Sequence, residues 1–443
     1  MGIKNIEKKS FFYSLLKVWV DFWHNKVFYR NIEILNFQNI PEKGHLIFTP
    51  NHQNALMDAL AILCTIKRRS VFLARSDIFK KPTVAAILYF LKILPIYRIR
   101  DGYELLKKNK EIFQKTTDVI TNEKCTLVIL PEGNHAGMRR LRPLKKGFAR
   151  IAFQTEEANN FGLDIHIVPV GIDYENYQAF RSKLSLNFGK PVPVSNHYEA
   201  YKKNPAIAIN AIKDELSSQI KPLIVDIETE DYYELFNNAR VIYAAATENA
   251  GKDSLLFHQH VVKQLQKTLK QTPEKIAGLN EQIYQYMEKT KALNLDFREP
   301  VRKMNVFRLF NKSFWLMLFS PIYLYGLLNN ILPYQLTKWA AGKIKDPQFK
   351  SSFSFVVSLV AFPLFNIIQT LIFMFFVSGW LWVALYFISV PLSGIFAWHY
   401  ANCFRSNWKN WKIYGLFSRR KQFMVQIQAD HRAIIKTLET IVE

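Results

Sequence analysis

The chain has 443 residues, a length that suggests two to four domains. Apolar residues make up 49% and aromatics 14%, including 35 Phe, a heavy load for a soluble enzyme. Lys and Arg total 59 against 36 acidic residues, a formal charge of +23, which suits an anionic partner; the apolar stretches described below favour a lipid surface over nucleic acid. Cys64, Cys125 and Cys403 lie far apart with no CxxC pair and no His/Cys cluster at metal-ligand spacing, so neither a disulfide framework nor a metal site is expected.

The N-terminus, "MGIKNIEKKSFFYSLLKVW", is basic, but no small-residue cleavage site follows, and Gly2 lacks the Ser or Thr of a myristoylation signal. Residues 11–28 place Phe11, Phe12, Leu15, Leu16, Trp19, Phe22, Trp23 and Val27 on a helical stripe, with Lys17 and Lys26 off it. Residues 1–34 therefore read as an amphipathic segment, lying in a membrane interface or packed on the next domain.

Residues 35–195 alternate strand and helix patterns. Strands are expected at 45–50, 70–75, 125–131, 165–174 and 184–189, with helical periodicity between the first four, as in "ALMDALAILCTI". This predicts an α/β domain with a mostly parallel sheet and flanking helices. Binding groups gather at the carboxyl ends of strands in such sheets, where His52, Arg75, Glu132 and Asp173 fall. Residues 196–305 read as a charged helical arm, with His258 and His260 as surface histidines.

From Phe353 to Ala401 there is no Asp, Glu, Lys or Arg. A bilayer crossing needs ~20 apolar residues, so this run predicts a transmembrane helical hairpin turning at residues 378–380, within a membrane region spanning 306–415. Trp380, Trp382, Trp398 and Tyr400 are its interfacial aromatics. A shorter apolar segment, 314–332, is weakened by Pro321, Gly326, Asn329 and Asn330. Basic clusters flank each segment: Arg302, Lys303, Arg308 and Lys312; Lys338, Lys343, Lys345 and Lys350; Arg405, Lys409, Lys412, Arg419, Arg420 and Lys421. All three want the cytoplasmic side, which favours a hairpin over three full crossings. Residues 416–443 read as a further amphipathic helix.

The chemistry starts at "TPNHQNALMDAL", where His52 precedes Asp58 by six residues. Residues six apart on a helix lie about 120° apart around its axis, so the two are not expected within one helix. Instead, His52 should sit in the turn after strand 45–50, with Asn54 capping the helix and Asp58 pointing back. A neutral imidazole takes a proton from an alcohol near pH 7, and a carboxylate on its other nitrogen orients it and stabilises the imidazolium. Arg98 and Arg100 emerge from "ILPIYRIRDG" with forks suited to phosphate. In "LVILPEGNHAGMRRLRPLKKGFARIAF" a buried strand ends at Glu132-Gly133, and Arg139, Arg140, Arg142, Lys145 and Lys146 precede an apolar helix: an anion site or a solvated basic loop. In "IVPVGIDYENYQAF" another strand runs to a tight turn. No Ser or Cys stands in a nucleophile motif.

In order and spacing, "NHQNALMD", "LPIYR", "LPEGNH…KKG" and "IVPVGIDY" resemble the four motif blocks of the glycerolipid acyltransferases over about residues 35–195. Most of that family places four residues between the His and the Asp, and this chain has five; its third block usually reads Glu-Gly-Thr-Arg, and here reads Glu132-Gly133-Asn134-His135. Both departures are similar to the fungal-type branch that acylates glycerol-3-phosphate or dihydroxyacetone phosphate. The resemblance implies His52 as base and Asp58 as its partner. It implies Arg98, Glu132 and Gly133 as polar-substrate contacts, with Asn134 and His135 in place of the usual pair, and Arg139 or Lys146 is expected to help neutralise a phosphate. It also implies direct transfer without a cofactor, onto a phosphorylated glycerol from acyl coenzyme A or acyl carrier protein as co-substrate; the basic excess and the apolar run add the expectation of a site at a membrane lipid surface, on the cytoplasmic face. Lysophosphatidate, or another lipid head group, is the alternative acceptor.

Overall fold

The computed structural model describes residues 6–97, 109–134, 137–247, 254–298, 301–302 and 305–443. Two compact units are present: 1–226 with 344–352, and 227–343 with 353–443.

The first unit is built on a sheet of β1 (Asn31–Leu35), β2 (Leu46–Pro50), β3 (Arg69–Arg75), β4 (Ile93–Ile96), β5 (Cys125–Val128), β6 (His166–Tyr174), β7 (Lys183–Phe188) and β8 (Val192–Pro193). Its order is β1-β7-β6-β2-β5-β3-β4, with β8 on β6. Every pairing is parallel except β6 with β7 and β6 with β8. The expected mostly parallel sheet is therefore present, and all five expected strands lie in it. The strand expected over 125–131 stops at Val128, ahead of Pro131, which lacks the N–H a further ladder bond needs. The pattern did not reveal β1, β4 or β8; each is short, and β1 is an edge strand with exposed residues that blur its alternation.

Helices α1 (Phe11–Phe22), α2 (Ala55–Leu63), α3 (Pro82–Phe90), α4 (Asn109–Thr121) and α5 (Gly147–Ala158) connect or flank these strands. Strand β2 is buried along its whole length, as a central parallel strand covered on both faces must be. On one face Ile47, Leu127 and Ile167 pack with Ile112 and Val119 of α4, Phe148, Ile151 and Ala152 of α5, and Ile212 and Leu216 of the helix Pro205–Ile220. Helix α1 runs on into a wider turn, Trp23–Phe28. Tyr13, Val20 and Trp23 turn inward, while Phe11, Phe12, Leu15, Val18 and Phe22 are exposed. Helix α1 thus packs on its unit and still presents an apolar stripe.

The expected helical arm of 196–305 is divided: residues up to 226, with the helix Pro205–Ile220, belong to the first unit, and the second unit holds the rest with most of the apolar helices. Tyr233–Ala246, Leu255–Gln271 and Pro273–Ala292 form a bundle with the C-terminal helix Lys421–Val442. The last helix buries Met424, Ile427, His431, Ile434, Leu438 and Ile441 at helical spacing, and Lys289 pairs with Asp430 at 2.7 Å. His258, expected at the surface, is buried in this bundle beside Phe257, because it falls on the same face as Val261, Val262 and Leu265.

Among the described residues, two helices are long and apolar enough to cross a membrane: Pro347–Met374 and Trp380–Arg419, joined by a short turn over 375–379. A bent pair, Val306–Leu318 and Ser320–Gly342 at 54°, passes the same test only when taken together. The residues read as weakening that segment have another use. A Cβ on Gly326 would lie 2.2 Å from the carbonyl oxygen of Ser393, so glycine lets the two helices touch backbone to backbone. Asn330 donates to the Val390 carbonyl at 3.1 Å, and Tyr386 donates to Asn329 Oδ1 at 2.7 Å. Pro347–Ser352 begins the first crossing helix and belongs to the first unit.

Candidate active site

The site is built at the carboxyl end of β2, where the chain must turn from strand into α2. Asn51 sets that turn. Its side chain copies a strand backbone, accepting from Ile172 N at 2.6 Å and donating to Ile172 O at 3.0 Å, so β2 is in effect extended against β6. The next backbone N–H groups are each taken by an acidic side chain. His52 N donates to Glu132 Oε1 at 2.6 Å; Gln53 N and Asn54 N both donate to Asp58 Oδ2 at 2.8 Å.

The backbone then turns left-handed at Ala55, with φ of +45°, a conformation that strains a non-glycine residue by about 1–3 kcal/mol. That turn brings Asp58, in the first turn of α2, back over the loop. Asn54 is the N-cap residue as expected, but its side chain makes no capping bond; the first-turn Leu56 N donates to Ser352 Oγ instead, and the Asp58 carboxylate reaches back to the N–H groups of Gln53 and Asn54 just ahead of the helix. A negative charge there is also favoured by the positive end of the α2 dipole.

The predicted pair is therefore together. His52 Nδ1 lies 2.8 Å from Asp58 Oδ2; the imidazole is mostly covered and the carboxylate is fully buried. The other carboxylate oxygen accepts from the Tyr174 hydroxyl at 2.7 Å. A buried carboxylate with four donors is held in one orientation, and Nδ1 faces it. The donors themselves are braced: Tyr177 OH donates to Gln53 Oε1 at 2.6 Å, Ser351 Oγ donates to Asn54 Oδ1 at 2.6 Å, and Leu56 N donates to Ser352 Oγ at 3.2 Å.

Glu132 is nearly as buried, at 3% exposure. Beyond His52 N it accepts from Arg142 N at 3.2 Å, so it ties the histidine loop to the basic loop ahead of α5. Burial pushes its carboxyl up to about 8, against the pull of those two backbone donors. Glu132 thus holds the backbone of His52. Gly133 follows at φ of +66°, a left-handed turn that only glycine adopts without cost, and leaves Gly133 and Asn134 exposed beside the histidine loop. Lys146 is exposed at the N-cap of α5.

Arg139 is placed differently from the other basic residues. It is buried, its guanidinium donates to Asp173 Oδ1 and to the Tyr174 carbonyl, and it lies 5.4 Å from the Tyr177 ring centre. The structure commits Arg139 to holding the strand that carries Tyr174. Arg98 and His135 lie outside the described residues. Among the described residues, no group of His, Cys, Asp and Glu side chains is arranged to hold a metal ion.

Tyr174, Asn51, Gln53 and Ser351 were not singled out from the sequence. Tyr174 ends the "IVPVGIDY" block, and Asn51 and Gln53 flank His52; the signal was their polarity beside buried strands. Ser351 lies almost 300 residues from Asn54, and nothing local marks it.

Comparison with known proteins bears on this geometry. The acyltransferase family matches residues 31–173, which run from β1 to the end of β6 and contain His52, Asp58 and Glu132. Residues 31–173 thus match an acyltransferase domain. Over 136 residues it is 27% identical to glycerol-3-phosphate O-acyltransferase 2 of Saccharomyces cerevisiae, covering 30% of this chain and 18% of the relative. Over 226 residues it is 26% identical to glycerol-3-phosphate O-acyltransferase 1 of the same yeast, covering 50% of this chain and 29% of the relative. The matches thus span less than a third of the length of either curated relative. Among solved structures, the 1-acyl-sn-glycerophosphate acyltransferase of Thermotoga maritima is similar at 20% identity, over 49% of this chain and 78% of that one. Its TM-score of 0.29 is too low to carry an argument. The acyltransferase domain lies wholly within the first unit, and the helices able to cross a membrane follow it in sequence.

Proposed function

We propose that the chain is a membrane-bound O-acyltransferase that moves a fatty acyl group from an acyl thioester to a hydroxyl of glycerol-3-phosphate, in the synthesis of phosphatidate. The hydroxyl approaches His52 Nε2. As its oxygen attacks the thioester carbonyl, its proton passes to Nε2, and Asp58 stabilises the imidazolium that results. The new C–O ester bond forms, the C–S bond breaks, and the imidazolium returns the proton to the departing thiolate. No acyl group is ever attached to the enzyme. Positioned general-base help of this kind contributes roughly 100- to 10,000-fold. Glu132 holds the backbone of His52 in register, and Arg98, with Lys146 of the basic loop, is assigned to the substrate phosphate.

The observation that carries this reading is the His52 Nδ1–Asp58 Oδ2 contact of 2.8 Å, with the carboxylate fully buried and held by three further donors. Two helices long and apolar enough to span a bilayer, and the exposed stripe of α1, support a site working against a lipid surface. The three basic clusters support the cytoplasmic face. The yeast relatives named as glycerol-3-phosphate acyltransferases support that acceptor.

The test is a matrix of acceptors and donors. Full-length chain in detergent micelles is offered glycerol-3-phosphate, dihydroxyacetone phosphate or lysophosphatidate, each with palmitoyl coenzyme A or palmitoyl acyl carrier protein. Fastest acylation of glycerol-3-phosphate is expected. Turnover with lysophosphatidate alone would reassign the acceptor, and no turnover with any of the three would overturn the reading.

A further inference from the structure

A second basic feature of the first unit lies away from the dyad. A cleft of about 340 Å³ is lined by Asn25, Lys26, Arg30, Ile32, Ile34 and Arg181, with the end of α2 at Cys64 and Thr65 as another wall. That volume is at the lower end of the ~300–1,000 Å³ usual for ligand clefts. Three cations line it and no carboxylate does. One of the three cations, Arg30, is shared with Glu175 at 2.7 Å just outside the lining, while Glu33 pairs with Lys183 at 3.3 Å and Asp21 with Lys17 at 2.7 Å, so the lining keeps an excess of positive charge. The walls are tied together, since Asn25 donates to the Cys64 carbonyl at 3.3 Å and Arg181 donates to the Lys26 carbonyl at 2.7 Å. Arg181 also sits at φ of +61°, a strained conformation for arginine.

Two placements say what the cleft is for. First, it begins where the exposed stripe of α1 ends: Phe11, Phe12, Leu15, Val18 and Phe22 are exposed, and Lys26 follows Phe22 by four residues. An apolar stripe that sinks into a bilayer surface leaves the residues just beyond it at the level of the headgroups. Second, the cleft shares the rim of the sheet that carries the dyad. Ile32 of β1 pairs with Leu184 of β7, and Leu184 pairs with Tyr174 of β6, whose hydroxyl holds Asp58. The cleft edge is therefore two strands, roughly 10 Å, from the residue that orients the catalytic carboxylate.

We infer that this cleft binds the phosphate headgroup of an anionic lipid drawn from the bilayer surface, with Lys26, Arg30 and Arg181 as its cations and α1 as the element that delivers it. Binding is read without turnover, so the inference stands or falls separately from the acyl-transfer reading.

The experiment is native mass spectrometry of the full chain released from detergent micelles, titrated with dioctanoyl phosphatidate. The comparison is between a cleft variant, Lys26→Gln with Arg30→Gln, and a control removing two exposed charges elsewhere, Lys263→Gln with Lys267→Gln. Arg181 is left intact because it also holds the carbonyls at the end of the Trp23–Phe28 turn. At least about tenfold weaker phosphatidate binding in the cleft variant, with the control unchanged and both variants melting like the parent, is the expected result. Equal binding by all three proteins overturns the site. Separate titrations with coenzyme A and inorganic phosphate distinguish the sources. If either binds the parent as tightly as phosphatidate and is lost in the cleft variant, the site takes a free phosphate and the lipid assignment is overturned.

Discussion

Asp58→Asn changes a charge and almost no volume. The amide can keep an oxygen where Oδ2 now accepts from His52 Nδ1, Gln53 N and Asn54 N, and the Tyr174 hydroxyl can rotate to accept from the amide nitrogen. The fold should therefore survive, helped by removal of a fully buried charge. What is lost is the attraction between the carboxylate and the imidazolium that forms as the hydroxyl proton leaves. With the charges about 4 Å apart and an effective dielectric near 20, that attraction is about 4 kcal/mol. Each ~1.4 kcal/mol is tenfold in rate, so kcat should fall by about a thousandfold. The assay is acyl transfer by purified full-length chain at saturating donor and acceptor, with thermal melting as the check on folding. A folded Asp58→Asn protein that keeps more than about a tenth of the parent kcat would refute the role given to this carboxylate.

Tyr174→Phe leaves the volume of the ring and removes the donor to Asp58 Oδ1, stranding a buried oxygen at a cost of about 1–3 kcal/mol. Melting in detergent should show that loss, with a smaller fall in kcat than Asp58→Asn; an unchanged melting temperature would mean the bond contributes nothing. Glu132 is pushed up to about 8 by burial, above the ordinary carboxylate value of 4.5, so the folded chain holds a proton there that the unfolded chain releases. That contribution is fully present below pH 4.5 and is lost as pH rises towards 8, by up to about 1.4 kcal/mol per pH unit. Glu132→Gln should flatten the fall in melting temperature between pH 5 and pH 8, and identical slopes in the two proteins would rule the proton out.

Much of this was legible in the sequence because buried parallel strands write themselves as unbroken apolar runs. "HLIFTP", "CTLVILP" and "IHIVPVGIDY" became β2, β5 and β6, and the turn after β2 was readable from its polar residues. The dyad was legible because a six-residue separation is wrong for one helix and right for a loop folding back onto a helix start. What was not legible depends on the third dimension. Nothing in "MRRLRPLKK", or in any local run, distinguishes Arg139, held by Asp173, from Lys146, left exposed; both sit in one basic stretch. The same holds for Asn329 and Asn330, polar marks against a membrane segment until the helix Trp380–Arg419 lies beside them. His258 follows the same rule, since its burial with Val261, Val262 and Leu265 depends on the bundle that packs against that face.

The central claim is that His52 takes the proton from the acceptor hydroxyl, and His52→Ala tests it most directly. Full-length His52→Ala protein, shown by melting to be folded, should acylate glycerol-3-phosphate from palmitoyl coenzyme A roughly 100- to 10,000-fold more slowly than the parent, with the loss in kcat rather than KM. Turnover within a few-fold of the parent would contradict the account.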